Sequence, residues 1–186
     1  MRLHALALVA ALLALSLPAP IRAAEEPTQE SAPEDATKAA KVTRVLVRKG
    51  AHEMTLFAGE DKVKTYAVAL GPGGKGPKHR EGDKVTPVGR YHVIAKSPSA
   101  FGIFLRLDYP NANDRARFAK LKREGVLPRS ATIGGDIGIH GAPQQSEYKK
   151  LHKRSDWTLG CIALDDDEIR EIARRVAVGT PVDIED

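Results

Sequence analysis

The pattern of apolar and polar positions between residues 42 and 184 predicts a series of short strands. The clearest example is 101–108, where Ile103, Leu105 and Leu107 alternate with the residues at 104, 106 and 108 (Phe, Arg and Asp), as expected for a strand with one buried face. Glycine, proline and charged residues separate the apolar segments and indicate turns. The predicted strands cover 42–48, 54–57, 62–70, 90–96, 101–108, 132–139 and 181–184.

Helices are fewer and fall in the connections between the predicted strands. The last helix has the strongest pattern, because Asp165 and Glu168 match a capping box and Gly179 follows its final apolar position. Two further helices are expected at 114–124 and 144–153. Strands that cluster first, with helices between them, indicate a β-rich α+β fold with peripheral helices.

The first 23 residues have the pattern of a signal peptide. Arg2 provides a basic start, residues 3–17 are almost entirely apolar, and small residues follow, with cleavage expected after Ala23 or Ala24. The alternative is a buried N-terminal helix. The apolar run is short for a membrane span, so export to the periplasm or cell wall is predicted, with no stable membrane anchor after cleavage.

Residues 24–41 form an acidic linker in this interpretation. Five acidic residues against two basic ones give a net charge of −3, and alanine is the main apolar residue. Such a composition cannot offset the entropy lost on folding, so disorder is predicted. The remaining residues, 42–186, form a single predicted domain with 25 basic and 19 acidic side chains, a net charge of +6.

Composition excludes several classes of protein. A single cysteine, Cys161, rules out an internal disulfide framework and any zinc site with two or more thiolates. The chain has only one Trp, four Tyr and four Phe and no recognised nucleic-acid motif, so a nucleic-acid partner is not expected. No spacing of ligand residues supports a metal site.

The one cysteine and a histidine lie in a pattern that suits nucleophilic catalysis. His140 is followed by residues 141–157 and then by Thr158, Gly160 and Cys161. A neighbouring imidazole can take the proton of a thiol, and a glycine beside the nucleophile lets backbone N–H groups face an oxyanion. The alternatives are a buried inert thiol and a structural histidine. An unpaired thiol in an exported chain favours a catalytic role.

These residues resemble the L,D-transpeptidase catalytic domain family, also called YkuD-like. Its signature is a histidine, about seventeen residues, Ser/Thr-His-Gly-Cys, a hydrophobic residue, and Asn or Arg. His140, Thr158, Gly160 and Cys161 match it, as does Ile162, and the chain is similar to the branch with Trp-Thr-x-Gly-Cys. The segments 71–91 and 108–111 also resemble the family in order and composition, so the resemblance extends over 42–186.

The resemblance implies a β-sandwich or barrel and a covalent mechanism. Cys161 would be the nucleophile and His140 the general base and acid, oriented through the backbone carbonyl of Gly141. Backbone groups of Gly160, Cys161 and Gly141 would form the oxyanion site. The substrate would be a peptidoglycan stem peptide: Cys161 attacks the carbonyl of its L-centre residue, D-alanine leaves, and an amine or water resolves the thioester.

Further residues are expected to line the substrate site, and no cofactor is implied. The substrate-binding set combines motif residues, one aromatic residue and basic residues outside the motif. These are Thr158, Trp157, Tyr109, Lys78 and Arg115. Basic residues around one groove would attract the carboxylates of stem peptides.

Two departures from the signature keep other activities open. Leu159 replaces the usual histidine and Ala163 the final polar residue. The alternatives are hydrolysis of stem peptides, hydrolysis of links between an envelope protein and peptidoglycan, and a non-catalytic peptidoglycan-binding domain.

Overall fold

Strands and short connections make up most of the chain between residues 41 and 186, the part that the computed structural model describes. The strands are β1 (Arg44–Arg48), β2 (Glu53–Ala58), β3 (Asp61–Ala67), β4 (Gly89–Ser99), β5 (Gly102–Leu107), β6 (Gly138–His140), β7 (Ile162–Ala163) and β8 (Pro181–Glu185). The helices are α1 (Ala112–Arg123), α2 (Ser146–Lys149) and α3 (Asp166–Arg175), with a 3₁₀ turn at His152–Arg154. The predicted signal peptide at 1–23 and all but the last residue of the linker at 24–41 lie outside the described residues.

The strands form one sheet that curls back on itself. Their order is β3-β2-β1-β8-β4-β5-β6-β7, and β8 lies parallel to β1 and antiparallel to β4. The two ends of this order meet where Ala69, just after β3, pairs with Ala163 of β7 through hydrogen bonds of 3.0 and 2.8 Å. The predicted β-rich fold with a curled, barrel-like sheet and peripheral helices is confirmed.

The core fills the inside of this curled sheet. Val182 and Ile184 of β8 are buried, and the outward residue between them, Asp183, pairs with an arginine on the neighbouring strand. Helix α3 covers the sheet next to β5 and buries Ile169 and Ile172. Each such aliphatic side chain contributes about 1.5–3 kcal/mol by leaving water. The alternating pattern of the sequence therefore marks the inward face correctly.

Helix starts follow the capping signals of the sequence. Asp165 and Glu168 form the predicted capping box, in which the Glu168 carboxylate accepts the Asp165 amide at 2.9 Å. Helix α1 begins at Ala112, two residues before the predicted start, because the Asn111 side chain caps it by accepting the amides of Asn113 and Asp114.

Two predicted elements are shorter than expected. The strand predicted at 132–139 is reduced to Gly138–His140, because Gly134 and Asp136 have φ values of +75° and +55°, which interrupt extended pairing. The helix predicted at 144–153 divides into α2 and the 3₁₀ turn, and no side chain caps the start of α2.

Between residues 41 and 186, no helix is long and apolar enough to span a bilayer.

Candidate active site

Strands β6 and β7 bring the predicted nucleophile and base to one face. The two strands are parallel, and His140 is paired with Ala163. Cys161 precedes β7 by one residue and lies two positions before Ala163. Side chains two positions apart in extended chain share a face, so the Cys161 thiol and the His140 imidazole point to the same side of the sheet.

The His140 ring is held in one tautomer by the backbone. Its Nδ1 lies 2.7 Å from the carbonyl oxygen of Gly141, the group that the family resemblance implies as its partner. A carbonyl oxygen only accepts hydrogen bonds, so Nδ1 carries the proton and Nε2 of the neutral ring has a free lone pair. Burial lowers the pKa of His140, outweighing the Gly141 carbonyl, which raises it. The imidazole is therefore neutral at pH 7 and able to accept a proton.

Aromatic rings surround His140 and fix the plane of its imidazole. Phe101, at the tip of the β4–β5 hairpin, lies 4.6 Å from the His140 ring centroid, and Trp157 lies 5.7 Å away at nearly a right angle. Phe104 of β5 stacks at 6.1 Å. Trp157 thus helps to position the imidazole, and its predicted role in substrate binding stays a prediction.

The Cys161 thiol is protonated in the resting protein. Burial raises the pKa of the Cys161 thiol, and the Gly138 amide and the charges of Lys78 and Arg106 oppose this only in part. The S–H group donates to the carbonyl oxygen of Asp136 at 3.5 Å. The two side chains therefore rest as a neutral thiol and a neutral imidazole.

Only one of the three backbone groups expected at the oxyanion site has a free amide. The Gly160 N–H donates to Thr158 Oγ1 at 3.2 Å, and the Gly141 N–H donates to the carbonyl of Phe101 at 3.0 Å. Within 41–186, no residue accepts the Cys161 amide. The Gly160 and Gly141 amides already have protein acceptors, so the Cys161 amide is the free donor among the three, and the oxyanion site itself stays a prediction.

The turn before Cys161 requires glycine. Gly160 has φ +130°, and a Cβ there would lie 2.7 Å from the Val85 carbonyl oxygen and 3.0 Å from Ile137 Cδ1. The Thr158 hydroxyl closes the turn by donating to the Cys161 carbonyl at 2.8 Å while accepting the Gly160 amide. Thr158 is buried, so this structure assigns it to shaping the turn.

The remaining predicted substrate-site residues lie in different surroundings. Tyr109 is a core residue: it is 5% exposed, packs against Tyr91, and donates its hydroxyl to the carbonyl of Ile133. Its predicted place on the substrate surface is therefore corrected. Arg115 is exposed on α1, and no contact in the described part of the chain joins it to Cys161 or His140. Lys78 is buried and paired with Asp83.

A cavity of about 710 Å³ lies beside the aromatic rings around His140. Phe101 and Trp157 line it, together with Tyr148 and Leu151, whose side chains are largely exposed. His140 and Cys161 are not among its lining residues, and the cavity approaches them through Phe101 and Trp157, whose rings contact the imidazole. Its apolar lining suits the aliphatic part of a peptide.

His152 is a residue of this region that sequence reasoning missed. The 3₁₀ turn buries it, with Nε2 2.9 Å from Asp165 Oδ1 and its ring against the edge of Trp157. No local pattern marks such a residue, because its partners come from other parts of the chain.

In the described range, no group of three His, Cys, Asp or Glu residues could hold a metal ion.

Comparison with known proteins places this fold and site in one class. The model of the YkuD family, the L,D-transpeptidase catalytic domain, matches residues 42–184, and the chain belongs to this family. A search of curated proteins found no match.

Solved structures share the fold. A point mutant of the helical cell shape determining protein Pgp2 from Campylobacter jejuni is 26% identical, with a TM-score of 0.58 over 80% of this chain and 48% of that one. Bd1075 from Bdellovibrio bacteriovorus is 23% identical, with a TM-score of 0.51 over 79% of this chain and 49% of that one. The present chain therefore spans about half the length of each.

Proposed function

We propose that this protein is an exported, cysteine-dependent L,D-transpeptidase that acts on peptidoglycan stem peptides during cell-wall cross-linking or remodelling. One observation carries the proposal: parallel pairing of β6 and β7 puts Cys161 on the same face as a His140 imidazole whose Nε2 lone pair is free. The family membership of residues 42–184 supports the same chemistry.

The proposed reaction begins with transfer of the Cys161 proton to His140 Nε2. The thiolate attacks the carbonyl of the L-centre residue, usually diaminopimelate, and forms a tetrahedral oxyanion. The Cys161 amide is the backbone donor available to this oxyanion. His140 then protonates the departing amine of D-alanine, and a thioester remains. An acceptor amine attacks the thioester and gives a proton to His140, which passes it to the departing Cys161 thiolate and restores the neutral pair.

The cavity lined by Phe101 and Trp157 is the proposed place for the stem peptide. Its apolar wall, which includes Phe101 and Trp157, would cover the aliphatic chain of the donor residue. The net charge of +6 on residues 42–186 would favour encounter with an anionic wall polymer. We extend this to a role in cell shape because the similar Pgp2 structure is described as a cell shape determinant.

Intact-mass spectrometry tests the covalent mechanism. The purified chain, incubated with a tetrapeptide stem or a carbapenem, should gain the mass of one acyl group at its single thiol. Cys161→Ala should gain none. Exposed Leu159 offers a matched control, since Leu159→Ala should keep the adduct. Equal masses for wild type and Cys161→Ala after treatment would show that the covalent mechanism is wrong.

Hydrolysis is a second candidate function, and two positions favour it. Leu159 is 71% exposed and Ala163 is fully buried, so neither offers a polar group to orient an acceptor amine. Water would then take the place of the acceptor amine. The bond that is hydrolysed would lie in a stem peptide or in a link between an envelope protein and peptidoglycan. Muropeptides from treated sacculi separate the cases: new cross-links favour transfer, and shortened or detached stems favour hydrolysis. Saturable binding without turnover would instead indicate a peptidoglycan-binding domain.

A further inference from the structure

A buried ion pair lies in the glycine-rich loop between β3 and β4. The Lys78 side chain is 3% exposed, and its Nζ lies 2.5 Å from Asp83 Oδ1. Replacing a buried ion pair by apolar residues is often neutral or stabilising, so stability alone is a weak reason to keep one. A functional role for the positive charge of Lys78 would explain why the pair is present.

The negative member of the pair is already well neutralised by the backbone. Asp83 accepts the amides of His79, Arg80 and Val85 at 2.8–3.0 Å in addition to the ammonium. Burial acts to raise the pKa of Asp83, but these bonds outweigh it and the pKa lies below its usual value. Lys78 has three N–H donors, and Asp83 is their one acceptor among residues 41–186. The ammonium therefore retains positive potential towards its other neighbours.

Those neighbours include the turn that carries the thiol. Lys78 Nζ is 3.6 Å from the point where a Cβ on Gly160 would lie, directly before Cys161 in the chain. The absence of a side chain at Gly160 thus leaves the ammonium beside the backbone of the nucleophile. The positive charge of Lys78 acts to lower the pKa of the Cys161 thiol, against the larger effect of burial.

We propose that Lys78 is the cation that stabilises the Cys161 thiolate, and that Asp83 holds it in place and moderates its charge. This deepens the proposed function, on which it rests. When the Sγ proton moves to His140 Nε2, the electron pair of the S–H bond stays on sulfur, and the ammonium is unchanged. A buried positive charge beside the turn that carries this sulfur favours the ionised state, because little water is present to screen it.

Other ionisable groups near the thiol have different surroundings. His140 is neutral at rest and gains its charge only when it takes the proton. Arg106 of β5 is partly exposed and pairs with Asp136, whose side chain is 80% exposed, so solvent and the partner carboxylate screen it. Lys78 is the buried cation in this set.

Alkylation of the single cysteine by iodoacetamide, followed against pH, tests the proposal. In Lys78→Met the midpoint for thiolate formation should rise by about one unit, which slows alkylation roughly tenfold at neutral pH. In Asp83→Asn it should fall, because Lys78 then lacks its counter-charge. Lys75→Met, an exposed residue of the same loop, is the matched control and should keep the wild-type midpoint.

Opposite shifts in the two variants identify an electrostatic role. A purely structural ion pair would change both midpoints in the same direction, or neither, and either result overturns the proposal. Lys78→Arg keeps the positive charge and should therefore keep the wild-type midpoint for thiolate formation. If Lys78→Met does not fold, the double variant with Asp83→Asn is compared with Asp83→Asn alone, and its midpoint should be higher by about one unit.

The assay is independent of the proposed reaction. Alkylation requires no peptidoglycan, so a chain that fails to turn over stem peptides can still show the expected shifts. An unchanged midpoint in folded Lys78→Met would reject the role of Lys78 and leave the transpeptidase proposal standing.

Discussion

At the scale of single residues, the Thr158 hydroxyl determines the shape of the turn before the thiol. It donates to the Cys161 carbonyl and accepts the Gly160 amide, so one oxygen atom satisfies two backbone groups. This leaves the Cys161 amide as the free donor of the turn. A side chain three residues before the proposed nucleophile therefore decides which amide of the turn stays free.

Replacing the Thr158 hydroxyl by a methyl group tests this role. Thr158→Val has a similar shape but leaves the Gly160 N–H unsatisfied in a buried place, which should reduce the free energy of unfolding by about 1–3 kcal/mol. It should also slow acylation of Cys161. Thr158→Ser keeps the hydroxyl and should remain close to wild type. Urea denaturation measures the difference, and equal losses in the two variants would contradict the assignment.

At the scale of elements, the segment that follows His140 is tied to the start of α3. Asp165, the N-cap residue of that helix, contacts both His152 and Lys153 of the 3₁₀ turn, and Lys153 also contacts Glu168. Through its ring contact with Trp157, His152 connects this attachment to the aromatic wall of the cavity. The helix start thus anchors one side of the candidate site.

The charge of Asp165 should give this attachment a pH dependence. Burial acts to raise the pKa of Asp165, but Lys153 and His152 outweigh it, so the folded-state pKa lies below the unfolded one. The carboxylate therefore stabilises the fold above about pH 4, and this contribution is lost as the pH falls through the folded-state pKa. Asp165→Asn, which keeps a good N-cap, should lose about 0.5–1 kcal/mol at pH 7, since the groups are partly exposed.

Urea denaturation at several pH values measures this effect. The difference between wild type and Asp165→Asn should shrink below about pH 4, where the wild-type carboxyl becomes protonated. Asp165→Ala, which also removes the cap, should cost about 1 kcal/mol more than Asp165→Asn. A constant difference between wild type and Asp165→Asn from neutral to acid pH would contradict the ion-pair explanation.

At the scale of the whole molecule, the last strand joins the two parts of the sheet. β8 lies between β1 and β4, so the strands before the glycine-rich loop and those after it meet through residues at the end of the described chain. β8 is far from β1 and β4 in the sequence, but it lies near the middle of the strand order. Folding of the sheet around the active site should therefore depend on the inward side chains of β8.

Two neighbouring residues of β8 test this dependence. Ile184→Ala removes a core side chain and should lower the free energy of unfolding by about 2–5 kcal/mol, through lost burial and a cavity. Asp183→Ala removes only an exposed ion pair with Arg90 and should cost less than about 1 kcal/mol. Chemical denaturation compares them, and a similar loss in both would show that β8 does not contribute through its core face.

Sequence reasoning predicted the fold class and the local elements well because their signals are local. The alternation in β5 and the capping box at Asp165 are confirmed by the structure. Its errors concern residues whose surroundings come from distant parts of the chain. Tyr109, expected on the substrate surface, proved to be a core residue, and the contacts that bury His152 were not foreseen. Chain spacing contains no information about such contacts.

The sequence by itself determined the inward faces of the strands, the helix caps and the spacing from His140 to Cys161, because each depends on residues close together in the chain. Only the tertiary structure decided that β6 and β7 are neighbours, that the Cys161 amide is free, and that Lys78 lies beside the turn of the thiol. These depend on sheet register and on packing between distant segments, which set the distances and the burial around the thiol.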